Sequence, residues 1–313
     1  MEIFEVRLSA ASEDRLSELA RCLNESFADL HMDGRLEIHP AHGLIVYRCA
    51  GAAPDESQRL AIHSRAAEGM AEYVLTSVEP ELIRIMIRKY YPGGGEDVER
   101  IADLCLRMLG ARPDRPDDDA DAEGPLPQDG EDRAVASDDK KARRKRHIAA
   151  ELLAYLQERP SLHLEGYITF RLDKYWEELA EAAEAAVDEF VTDRQYREFV
   201  GLLHEFVGRQ QPRVSAVNLV LKADGGFALY DEAFRPMEPG DGGRPAAGIQ
   251  DEELNVEDMV VSCLLAISPR EITLHARDPK LPVVRTIGAI FAGRVTLCEG
   301  CRSCLPLTGA VRT

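Results

Sequence analysis

Three cysteines close the sequence at a fixed spacing, Cys298-Glu299-Gly300-Cys301-Arg302-Ser303-Cys304. Thiols at i, i+3 and i+6 converge on one metal ion if the backbone turns between them, and Gly300 makes such a turn easy. Converging thiolates repel one another unless a cation neutralises them. Zinc takes four ligands in a closed site, so a fourth must come from outside the run. His275, at the end of the strand-like stretch Ile272-Thr273-Leu274-His275, is the first choice and Cys263 the second. The same spacing opens a bacterial iron–sulfur run, though the fourth cysteine and the proline after it are missing. The sequence leaves zinc, an iron–sulfur cluster, reversible thiol chemistry and plain packing all open.

Other candidate groups are weaker. Lys140, Lys141, Arg143, Arg144, Lys145 and Arg146, followed by His147, place six cations in seven residues of a helix. Such a run can track nucleic-acid phosphates, but no aromatic residue is interleaved, and acidic segments near it offer self-neutralisation. His39 and His42 fall on a hairpin tip with no third ligand near in sequence. Gly93-Gly94-Gly95 lacks the Gly-Lys-Ser/Thr ending of a phosphate loop and reads as an interhelical turn. Glu81, Arg84, Arg88 and Lys89 read as the wet edge of a helix. No Ser/His/Asp order, H-E-x-x-H motif or distinctive carboxylate pair emerges. The expectation is a protein that acts through contacts with a protein partner, with an enzyme or a nucleic-acid binder as the competing classes.

The elements that must position these groups follow from periodicity. Residues 1–111 read β-α-β-β-α-α. Ile3, Phe4, Val6 and Leu8 mark a strand, and Ser12 caps a helix whose Leu16, Leu19, Leu23 and Phe27 share one face. A hairpin turns at residues 39–43. A long helix runs from about Glu56 with a break near Glu79-Pro80, because proline removes a donor. Leu82, Ile83, Ile85, Met86 and Ile87 predict a helix covered on most sides, and Val98, Ile101, Leu104, Cys105 and Met108 mark another.

Residues 112–139 carry eleven acidic side chains against three arginines, leaving −8, mixed with Pro113, Pro116, Pro125 and Pro127. That composition predicts a disordered acidic linker. Beyond it, residues 140–306 form a second part. Its helix start is Ser137-Asp138-Asp139, and Ile148, Leu152, Tyr155 and Leu156 make the inner face of that helix. A second helix from about Phe170 buries Trp176, Leu179, Ala183, Val187 and Phe190. Thr192 and Gln195 predict a new helix by a capping box, with Tyr196, Phe199, Leu203 and Phe206 inward. A hairpin follows across Asp224-Gly225-Gly226, then a Gly/Pro-rich loop at 236–249 and a short apolar helix capped by Asn255 and Asp258. Ile272–His275, Pro282–Phe291 and Val295–Leu297 then make a compact βαβ unit with parallel strands. The fold class is α+β and helix-rich.

Composition bounds the rest. The 313 residues are 45% hydrophobic and 30% charged with a net charge of −18, which argues against bulk attraction to nucleic acid or anionic lipid. The longest apolar helical run, Met259 to Ile267 broken by Ser262, is far short of the ~20 residues that span a bilayer, so no membrane insertion is expected. Met1-Glu2-Ile3-Phe4-Glu5-Val6 lacks the features of a secretory signal. Seven cysteines, four of them scattered singly, suit a reducing cytoplasm.

Glu165-Gly166-Tyr167-Ile168-Thr169-Phe170-Arg171-Leu172 and Ala186-Val187-Asp188-Glu189-Phe190 resemble the YtxC-like sporulation proteins of endospore-forming bacteria. So does the closing order of apolar helix, strand, helix and Cys-rich strand end. The resemblance spans most of residues 145–304 and, more weakly, the first hundred. It implies a cytoplasmic protein linked to sporulation, and it carries over no catalytic residue or cofactor.

Overall fold

A computed structural model describes residues 1–9, 13–30, 34–50, 53–110, 130–222, 225–237, 256–298 and 300–304, with side chains from residue 139 onward in the longest stretch. Ser12, Asp224, Asn255, most of the 236–249 loop and residues 112–129 of the acidic segment lie outside these. The chain forms two compact units, one of residues 1–117 with 127–191 and one that begins at Thr192 and includes the C-terminal strands. The changeover therefore falls within a helix rather than in the acidic segment, because residues 140–191 pack with the N-terminal elements.

In the first unit, β1 (Glu2–Arg7), β2 (Gly34–His39), β3 (Leu44–Cys49) and β4 (Ser161–His163) form one sheet in the order β2-β3-β1-β4. Two pairings, β1 with β3 and the β2–β3 hairpin, are antiparallel and join strands of the first fifty residues, whereas β4 joins parallel to β1 from far along the chain. Helices α1 (Glu13–Phe27), α2 (Glu56–Tyr73), α3 (Glu79–Tyr90), α4 (Gly95–Met108) and α5 (Gly130–Glu158) share one hydrophobic core with it. Leu16, Leu19 and Leu23 bury one stripe of α1, as their spacing predicts. The break expected near Pro80 is a π-helical turn, Val74–Val78, which absorbs the helix's lost hydrogen bond just ahead of the proline. Ile83 and Ile87 are fully buried but Ile85 is 63% exposed, so α3 is one-sided rather than enclosed.

Two further helices differ from the sequence reading. Residues Leu164–Arg171 form their own helix, α6, capped by His163, whose ring accepts the Gly166 N–H at 3.1 Å. A Cβ on Gly166 would stand 3.0 Å from that ring nitrogen, which gives the glycine of this motif a packing reason. Helix α7 then runs unbroken from Asp173 to Arg209. The Thr192 capping box does not start a new helix, since no glycine or proline interrupts residues 173–200 and the helical backbone already satisfies those amides. Its late stripe is Tyr196, Val200, Leu203 and Val207, and Phe199 and Phe206 point outward at 58% and 50% exposure.

The second unit holds a sheet ordered β6-β5-β7-β8, from β5 (Val214–Leu221), β6 (Phe227–Tyr230), β7 (Pro269–His275) and β8 (Val295–Leu297). Helix α8 (Val256–Ile267) precedes β7, and α9 (Pro282–Ile290) links β7 to β8 as a crossover. Strands β7 and β8 are parallel, as the short βαβ pattern predicts. Val217, Leu219, Leu221, Ile272 and Leu274 alternate onto the core with Val260, Leu264, Ile287 and Ile290 of the helices. Alternation puts Asn218, Thr273 and His275 on the opposite sheet face. No described helix is long and apolar enough to cross a membrane.

Candidate metal centre

The register of β7 and β8 brings the first two candidate ligands together. Leu274 pairs with Leu297, and the Cys298 N–H donates to the Leu274 carbonyl at 2.9 Å. Cys298 therefore leaves the end of β8 beside His275 at the end of β7, on the sheet face away from the core. Gly300 then adopts φ +103°, a conformation side chains other than hydrogen resist, and the chain folds back on itself. Its N–H lies 3.4 Å from Cys298 Sγ.

As a result the three cysteine sulfurs and one ring nitrogen of His275 lie within 4.8 Å of one another. Cys298 Sγ is 4.0 Å from Cys304 Sγ, and Cys301 Sγ is 3.8 Å from His275 Nδ1. Tetrahedral zinc with Zn–S bonds of about 2.3 Å requires sulfurs about 3.8 Å apart, so only small adjustments separate this arrangement from a closed Cys3His shell. His275 and Cys304 are each 3% exposed, while Cys298 and Cys301 are half-buried.

The electrostatics fit the same chemistry. Burial holds the His275 imidazole below its usual range, which favours the neutral ring that ligates metals. Burial alone would raise the Cys301 thiol. Backbone N–H groups of Cys304 and Ser303 and the Cys304 and Cys298 thiols outweigh it and bring Cys301 below its ordinary value. Cys304 is pushed up to about 11 by burial and its thiol neighbours. Three crowded sulfurs thus share protons that a metal ion would displace.

Cys263, the second choice for fourth ligand, is on α8 against the hydrophobic core, where burial raises its thiol. It is not part of the cluster. His39 and His42 are exposed on their 3-10 hairpin turn, and of the three glycines Gly93 and Gly94 lie between α3 and α4 while Gly95 begins α4. Arg84 reaches Glu99 at 2.8 Å and Arg15 pairs with Glu81, consistent with a solvated helix edge.

Three cations of the basic run are paired within the first unit, while Lys140, Arg143 and Arg146 are exposed. Arg144 is buried against Glu79, while Lys141 and Lys145 reach Glu72 at 3.6 and 2.7 Å. These ion pairs realise the self-neutralisation by acidic helices that the composition allowed.

Sequence reasoning did not single out Asn218, whose Oδ1 lies 3.0 Å from His275 Nε2, or Phe234, whose ring meets His275 edge-on at 5.5 Å. It also passed over Ser9, whose Oγ is 2.8 Å from His163 Nε2. That pair does not activate the serine. His163 Nδ1 already accepts the Gly166 N–H, so a neutral ring carries its proton on Nε2 and donates toward Ser9.

Comparison with known proteins places the chain in a family. The model of the YtxC-like family matches residues 64–296, a stretch that includes Asn218 and His275 and ends just short of Cys298. The chain is 29% identical over 157 residues to "Uncharacterized protein YtxC" of Bacillus subtilis (strain 168). That alignment covers 50% of this chain and 55% of the relative, so the chain spans about half the length of the curated protein it matches. No solved structure matches. With most of its length matched by the family model, the chain belongs to the YtxC-like family.

Proposed function

We propose that Cys298, Cys301, Cys304 and His275 hold one zinc ion that staples the C-terminal turn to the sheet, and that the protein acts through contacts with other proteins. The observation that carries the zinc reading is the approach of all four ligand atoms to within 4.8 Å. Four protein ligands close the shell and leave no position for a substrate, which favours a structural centre over a catalytic one. Zinc would supply charge neutralisation to the thiolates and a cross-link between β7, β8 and the turn after them. An iron–sulfur cluster suits the site less well, because common clusters take four cysteines and the fourth group here is an imidazole.

The resemblance of residues 165–172 and 186–190 to YtxC-like sporulation proteins supports a role in the cytoplasm of sporulating cells. The ion pairs of the basic helix with Glu72 and Glu79 weigh against nucleic acid as the partner.

The test is elemental analysis and absorption of anaerobically purified protein, beside a Cys301→Ser variant. About one zinc per chain, no visible colour, and loss of that zinc in the variant would support the reading. Brown absorption, or a variant with full zinc content and unchanged stability, would overturn it. Capture of a reproducible partner from sporulating cells addresses the cellular role separately.

A further inference from the structure

We infer that Asn218 is the positioning residue that makes Nδ1 the zinc-binding atom of His275; this rests on the zinc reading above. A histidine offers two ring nitrogens, and the one that ligates is set by the hydrogen bond the other makes. Here Nδ1 faces Cys301 Sγ at 3.8 Å, and Nε2 faces Asn218 Oδ1 at 3.0 Å.

The amide of Asn218 is itself oriented. Its Nδ2 donates to the Asp231 carbonyl at 2.8 Å, so the carbonyl oxygen is the atom turned to His275. A carbonyl oxygen only accepts. Nε2 must therefore carry the proton, and the neutral ring presents its lone pair at Nδ1, toward the cysteines.

The Asp231 carbonyl is held in turn by a tight turn. It also accepts the Phe234 N–H at 3.0 Å. The Asp231 carboxylate receives the N–H groups of Ala233 and Arg235 at 2.9 and 2.8 Å and Arg235 Nε at 2.7 Å. Phe234 at the turn has φ +58°, in a region that bulky residues rarely occupy. Its ring stacks on Tyr230 and abuts His275, so this turn shields one side of the imidazole. Asp231, Asn218 and His275 form a three-residue relay of two hydrogen bonds that runs from a turn beyond β6, across β5, to the end of β7.

Two substitutions separate this role from general packing. Asn218→Leu keeps the bulk and removes the acceptor, whereas Asn218→Asp keeps an acceptor oxygen beside Nε2. Zinc affinity is read by competition with a chromophoric chelator on the full chain. The relay predicts that Asn218→Leu weakens zinc by about 10–100-fold, while Asn218→Asp, which keeps the acceptor for Nε2 but loses the donor to the Asp231 carbonyl, falls between Asn218→Leu and the wild type. Equal affinity for wild type and Asn218→Leu would overturn the inference while leaving the zinc site intact. A wild-type chain that takes up no zinc would instead overturn the underlying reading. If Asn218→Leu does not fold, 15N NMR of zinc-loaded wild type decides. A protonated Nε2 with metal-bound Nδ1 supports the relay, and the reverse assignment overturns it.

Discussion

Arg144 buries its guanidinium against the carboxylate of Glu79, a residue with no exposed surface. The pair joins the basic helix α5 to the start of α3, immediately after the π-helical turn. Arg144 also donates to the Leu109 carbonyl at 3.3 Å and sits over the Tyr175 ring at 5.9 Å. Burial pushes the Glu79 carboxyl up, and the Arg144 charge and hydrogen bond oppose that push. Removing one partner of a buried pair strands the other, at a cost of about 3–5 kcal/mol. Arg144→Met should therefore lower the urea midpoint sharply with little change in m-value. Adding Glu79→Gln should recover much of the loss. A single variant as stable as the wild type would show that the pair contributes nothing.

Two further cations of α5 lead to a second prediction. Lys141 and Lys145 share Glu72, whose carboxyl is buried enough to be raised by desolvation, yet both lysines draw it below its ordinary value. Their charges are spent within the fold. Binding to duplex DNA or to RNA should stay weak even at low salt. A tight complex whose log affinity falls steeply with log salt would contradict this, because that slope counts neutralised phosphates.

A third prediction concerns acid. His63 on α2 is buried beside Phe4, and burial lowers its imidazole below the usual range. The unfolded chain then binds a proton at a higher pH than the folded one. The neutral ring's contribution is present above the unfolded value of about 6.5 and is lost as pH falls through the folded value. Unfolding free energy should drop over that window, and His63→Leu should flatten the dependence. An unchanged slope in the variant would assign the acid sensitivity elsewhere.

How much of this was legible depended on sequence distance. The βαβ closure was readable because Ile272–His275, Pro282–Phe291 and Val295–Leu297 are contiguous and short crossovers have one hand. That closure fixes the strand ends side by side, so the meeting of His275 with Cys298 followed from local pattern. Asn218 did not, since it lies 57 residues before His275 and the β5–β7 pairing leaves no local mark. Strand β4 was missed for a similar reason. It has three residues, of which Leu162 alone is apolar, and its pairing with β1 spans more than 150 residues. The capping box at Thr192 misled because a local start signal does not stop a helix already under way.

A fourth prediction separates the two candidates for the last ligand. Cys263 packs among apolar side chains of the second unit, away from the sulfur cluster. Cys263→Ser should keep full zinc content with a small loss of stability, and His275→Ala should lose zinc. The opposite pair of results would exchange their roles.

The most direct measurement is zinc-edge X-ray absorption on the zinc-loaded full chain, which counts and identifies the atoms bound to the metal. A Cys3His shell predicts three sulfurs at about 2.3 Å and one nitrogen at about 2.0–2.1 Å, with the scattering pattern of an imidazole. A shell of four sulfurs, or one made only of oxygen and nitrogen, would contradict the account.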